Sequence, residues 1–103
     1  MEYQEFIDGI NNGAIQKAFF SVADYAHYRN CKIESKISTN PTGTHAFRVI
    51  LVSLTQDGSE KKGFLQDFDE NAKLFYIKNK GSFTLKQMWS RITIHSIEPT
   101  EKA

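Results

Sequence analysis

An α+β domain is what this sequence predicts, on three observations. The first ten residues carry apolar side chains at helical spacing, the middle and end of the chain break into short apolar bursts, and turn-forming residues separate those bursts. Helices first and strands afterwards is the order of an α+β chain. The expectation is therefore N-terminal helices followed by about five antiparallel strands, forming a strongly bent sheet or a small barrel. At 103 residues the chain is one domain, 1–103, with a helical segment over 1–29 and a β-rich segment over 31–99.

Glu2 to Ile10 predicts a helix, because Tyr3, Phe6, Ile7 and Ile10 fall at i, i+3, i+4 and i+7. Glu2 and Glu5 suit the positive end of its dipole, and Asn11, Asn12 and Gly13 stop it. A second helix is expected from Ala14, with Ile15, Ala18, Phe19 and Val22 on one face. Ser21 then caps a further turn from Asp24 to Tyr28. At Ala18 to Val22 a buried strand competes with the helix, since short apolar runs fit both.

Cys31 to Ser38 alternates, with Ile33, Ser35 and Ile37 on one face, as a half-exposed strand does. A loop follows at Pro41 and Gly43. Ala46 to Thr55 is β-branched and almost continuously apolar, the pattern of a central strand covered on both faces. Asp57-Gly58 favours a hairpin turn. Gly63 to Phe68 and Lys73 to Lys78 are expected to pair around Asp69-Glu70-Asn71-Ala72. Phe83 to Trp89 and Arg91 to Ile97 follow as strands, Pro99 ends the last, and the final four residues are expected to fray.

The net charge of +1 conceals a division. Between Asn71 and Glu98 the charged residues are Lys73, Lys78, Lys80, Lys86 and Arg91, with no acid among them. Six of the thirteen aromatic residues lie between Gly63 and Pro99, which interleaves rings with cations. Stacking surfaces and phosphate-seeking cations are the two ingredients of single-stranded nucleic-acid recognition. Against this stand two plainer uses: aromatic residues fill cores, and lysines protect strand edges.

Catalytic chemistry finds few residues to build on. The chain has no glycine-rich phosphate loop. Cys31, the single cysteine, has His27 four residues before it, and a buried thiol beside a surface histidine accounts for that pair. His27, His45 and His95 are scattered, and Asp67, Asp69 and Glu70 lack the spacing of a calcium loop. The expectation is no catalytic residue, no metal and no cofactor. One cysteine excludes an internal disulfide, and the N-terminus has neither a signal peptide nor a membrane span, so a cytoplasmic protein is expected.

The run Gly63-Phe64-Leu65-Gln66-Asp67-Phe68-Asp69, followed by Leu74 to Ile77, resembles the first signature of Sm-like RNA-binding barrels. Residues 47 to 58 resemble the strand and turn before it, and Gln87 to Pro99 is similar to the closing segment of the Hfq branch. The likeness spans roughly residues 47–99, and SH3-like and YolD-like small barrels share the same short patterns. The chain departs from that branch at Ser90-Arg91-Ile92, where the family has Tyr-Lys-His and only the cation carries over. The resemblance implies a small barrel that binds RNA.

Together these readings predict a non-enzymatic, regulatory module for RNA or single-stranded nucleic acid, with Lys73, Tyr76, Phe83, Lys86 and Arg91 as its binding residues. The alternative is a small protein-interaction or inhibitor module of bacterial, plasmid or phage origin. It would use the N-terminal helices, through Phe19, Phe20, Tyr25 and Tyr28, or a strand edge, to meet a protein partner or a second copy.

Overall fold

The structure, a computed structural model, describes residues 1–54 and 61–99. The α+β class holds: one N-terminal helix packs against a five-stranded antiparallel sheet. Helix α1 spans Tyr3–Asn12 and buries Tyr3, Phe6, Ile7 and Ile10, the face that the spacing predicts. Glu5 reaches back to the Glu2 N–H, and Gly13 ends the helix with φ of 84°. An alanine Cβ at Gly13 would stand 2.5 Å from the Arg48 guanidinium, which packs there and donates to Ser35 Oγ at 2.7 Å.

The predicted second helix is a strand. β1 runs Ile15–Val22 and pairs with β2, Cys31–Thr39, and with the last strand, β7, Ile92–Pro99. The helical reading has a physical cause. The β1–β7 register shifts between Ile15 and Lys17, so Ile15 and Ala18 both reach the core at a spacing that imitates a helix. Phe19 then faces away from the core while Phe20 and Val22 are buried. Ser21 caps nothing, and Asp24 to Tyr28 contributes only a short 3₁₀ turn, Ala26–Tyr28.

β3, Ala46–Ser53, lies between β2 and β4, Lys61–Leu65. It is covered on one face only: Ile50 and Val52 are buried, whereas Phe47, Val49 and Leu51 are half-buried on the other side. Thr55, the predicted end of that strand, the Asp57-Gly58 turn and the final four residues lie outside the described residues.

The sheet order is β4-β3-β2-β1-β7, so among the described residues β4 and β7 are opposite edges and no barrel closes. The pairing expected between the 63–68 and 73–78 segments does not form. β4 ends at Leu65, and Gln66, at φ of 70°, turns the chain away from the sheet. The Phe68 N–H donates to Asn11 Oδ1 at 2.7 Å, which ties this crossing to α1. β5, Phe75–Ile77, pairs instead with β6, Gly81–Phe83. Phe68, Leu74, Phe75, Ile77, Leu85 and Met88 then fill the core that barrel closure would otherwise enclose.

The strand predicted over Phe83 to Trp89 is mostly a helical turn, α2, Leu85–Met88. Thr84 accepts from the Gln87 N–H at 3.2 Å and Gln87 returns a carbonyl to the Thr84 N–H at 2.8 Å. That reciprocal cap settles the local competition in favour of helix. Trp89 packs on Tyr3 and Phe6, which joins this end of the chain to α1.

Two buried groups give the fold an alkaline limit. Burial pushes the Cys31 thiol from 9.0 up to about 12. Burial, and then the Glu70 carboxylate that accepts its hydroxyl, raise Tyr3 from 10.0 to about 12. Both groups are neutral when protonated, and the fold holds them protonated. Their contribution is complete below pH 9 and is lost as pH rises to about 12. Urea midpoints are expected to stay level up to pH 9 and to fall steadily towards pH 12. A midpoint that does not move over that range would contradict the burial of these groups.

Candidate nucleic-acid interface

The β5–β6 hairpin sorts its residues by alternation. Phe75 and Ile77 point into the core, so Tyr76 between them points out and is 63% exposed. Tyr76 is opposite Ser82, and Lys78 and Lys80 continue the exposed side around the turn. Asn79 and Gly81 make that turn with φ of 69° and 103°.

The open edge of β5 is met by a side chain in place of a strand. Tyr28 Oη accepts from the Tyr76 N–H at 2.9 Å and donates to the Tyr76 carbonyl at 3.1 Å. Its ring meets Phe75 edge to face at 5.3 Å and makes a second edge-to-face contact with His27, also at 5.3 Å. The 3₁₀ turn is thereby docked on the hairpin, and a cleft remains between them.

This cleft, of about 420 Å³, has Asp24, Tyr25, His27 and Tyr28 on one wall and Tyr76 and Lys78 on the other. That volume lies within the range of roughly 300–1,000 Å³ typical of small-ligand sites. Across Tyr25 lies a second cleft of about 410 Å³, lined by Ser21, Asp24, Tyr25 and Arg29. Ser21 Oγ stands 2.7 Å from His95 Nε2 on the neighbouring strand. Asp24 lines both clefts, and its φ of 67° is a left-handed conformation that Asp and Asn tolerate better than most residues.

A third depression, of about 730 Å³, brings together Lys73 and Lys86 with Glu70, Asn71, Thr84 and Gln87. The Lys86 ammonium lies 5.9 Å over the Tyr3 ring, whose hydroxyl donates to Glu70 at 3.2 Å.

The five predicted residues are thus divided. Lys73 and Lys86 share a groove, and Tyr76 stands in the aromatic cleft. Phe83 is half-buried, opposite Phe75 and packed against the core, so it presents no free ring face beside Tyr76. Arg91 is exposed and lines none of these cavities, although its carbonyl accepts from the Ala23 N–H at 2.8 Å, next to Asp24. Sequence reasoning missed the cleft itself. The signal was the run Asp24-Tyr25-Ala26-His27-Tyr28, which reads as a helical turn until β1 and β5 bring it against Tyr76.

The other chemical candidates separate in space. Cys31 is buried and donates to the Leu54 carbonyl at 3.1 Å, while His27 is exposed and rests on Tyr28. Among the described residues, no three His, Cys, Asp or Glu side chains gather closely enough to hold a metal ion. Of the four aromatics considered for protein contact, Phe20 and Tyr28 are buried, Phe19 lies on the outer face of the sheet and Tyr25 divides the two clefts. Among the described residues no helix is long and apolar enough to cross a membrane. No protein-family model matches the chain, and neither a curated protein nor a solved structure matches it at a significant level.

Proposed function

We propose that this protein is a non-enzymatic, regulatory binder of RNA or other single-stranded nucleic acid, and that the face formed by the 3₁₀ turn, the β5–β6 hairpin and α2 is its binding surface. The observation that carries the reading is Tyr76, an exposed ring at the mouth of an aromatic cleft beside Lys78. Its surroundings draw on a stretch with five cations and no acid. A base stacks on the ring, and the flanking phosphates run to Lys78 on one side and towards Lys73 and Lys86 on the other. From the Sm-like resemblance this proposal keeps the ligand class and drops the closed barrel.

Fluorescence anisotropy of a labelled single-stranded RNA, titrated at 50 and 200 mM salt, tests it. For a single strand, log K falls with log salt at a slope of about −0.7 per phosphate engaged, so three phosphates give a slope of about −2 and a loss of roughly 15- to 20-fold. Absence of binding at 50 mM salt would sink the proposal.

One observation favours a second reading, protein docking at a strand edge. Among the described residues β4 ends the sheet, and its last residue, Leu65, is 67% exposed on the face that carries Phe47, Val49 and Leu51. Sedimentation equilibrium that gives a dimer, in a protein without affinity for nucleic acid, would favour this reading over the first.

A further inference from the structure

We propose that the aromatic cleft selects guanine, and that Asp24 is the residue that makes the choice. This rests on the nucleic-acid reading above and adds the identity of the base.

Among the described residues Asp24 is the only acidic side chain on the cleft, whose other lining residues are Tyr25, Ala26, His27, Tyr28, Tyr76, Ile77 and Lys78. Among the described residues its carboxylate takes part in no hydrogen bond or ion pair. An uncommitted anion is the wrong group to meet a phosphate. It is the right group to meet the hydrogen-bond donors of a base, and the exposed Tyr76 ring on the other wall holds a base by its flat face.

An ionised carboxylate only accepts, and it offers two oxygens side by side. Guanine is the one standard base with two adjacent donors on its pairing edge, N1–H and the N2 amino group, so it meets both oxygens at once. Adenine and cytosine each set one amino donor next to a ring-nitrogen acceptor, which faces the second oxygen as like against like. Uracil has a single N3–H between two carbonyls, with the same conflict on both sides. Of the remaining acceptors of guanine, O6 and N7, one is within the compass of the His27 N–H on the same wall, which leaves Lys78 to the flanking phosphate.

The left-handed backbone at Asp24 shapes the test, because asparagine tolerates the same conformation. Asp24→Asn keeps the turn and exchanges one acceptor oxygen for a donor. Oligouridines of seven nucleotides, each with one central guanine, inosine, adenine or cytosine, are titrated against the native protein and against Asp24→Asn. The native protein is expected to bind the guanine oligomer about 5- to 150-fold more tightly than the adenine one, the range of a bidentate base contact. Inosine, which lacks the amino group, falls between them. In Asp24→Asn the guanine and adenine oligomers are expected to bind alike. The inosine comparison probes the same hydrogen bond from the ligand side, so it stands even if the variant folds poorly. Equal binding of all four oligomers to the native protein overturns guanine selection and leaves the nucleic-acid reading intact. Failure of all four to bind overturns both.

Discussion

Tyr76→Ala is expected to weaken binding of single-stranded RNA by about 1–3 kcal/mol, roughly 5- to 150-fold, the cost of losing one stacked base. The side chain is 63% exposed, so the fold loses little with it and the thermal midpoint should stay close to that of the native protein. Phe83 supplies the contrast on the same hairpin. It is half-buried against the core, so its truncation is expected to lower stability first and affinity only as a consequence. Anisotropy titrations beside thermal melts separate the two effects. If Tyr76→Ala binds as tightly as the native protein, the cleft is not where the nucleic acid sits.

Tyr28→Phe carries the largest expected effect of a single oxygen atom. That hydroxyl satisfies both the N–H and the carbonyl of Tyr76, and a phenylalanine ring keeps the contact with Phe75 while leaving the two backbone groups without their partner. A partly buried polar group left unpaired costs about 1–3 kcal/mol. Urea unfolding followed by tryptophan fluorescence measures the loss. The same change frees the 3₁₀ turn from the edge of β5, so affinity for RNA is expected to fall with it. A variant as stable as the native protein would show that solvent replaces the hydroxyl at no cost, and that the turn is held by ring packing alone.

Where local chemistry decides structure, the sequence was legible. α1 has its apolar stripe, its acidic first turn and its glycine stop, and β2 has its alternation as far as Ser35, beyond which Ile37 is 58% exposed. It was misleading where pairing decides. In β1 a register shift sets Ile15 and Ala18 on one side at helical spacing, and a second shift at His95 in β7 lets Phe20 face Ile94. In β3 the continuous apolar run suggests two covered faces, yet only one is covered. The barrel failed for a related reason. Gln66 reverses the chain at φ of 70°, and the segment from Phe68 to Met88 becomes a second layer on the sheet in place of its closing strands.

The candidate site divides along the same line. Tyr76, Lys73 and Lys86 were visible because aromatic and basic residue types announce themselves within one acid-free stretch. Asp24, Tyr25 and His27 are far from Lys78 in the sequence, since the two walls of the cleft lie about fifty residues apart in the chain and are joined by the Tyr28–Tyr76 hydrogen bonds. The capping pair Thr84 and Gln87 is a helix-start signal in the sequence, set between the aromatic residues Phe83 and Trp89 that favour a strand.

The most direct test of the cleft as the binding surface is a ¹H–¹⁵N NMR titration of the full chain with a short single-stranded RNA. Amide shifts are expected to move over residues 24–29 and 75–82, with smaller changes at Lys73 and Lys86 in the neighbouring groove. Changes confined to the outer face of β3 and β4, around Val49, Leu51 and Leu65, would contradict it.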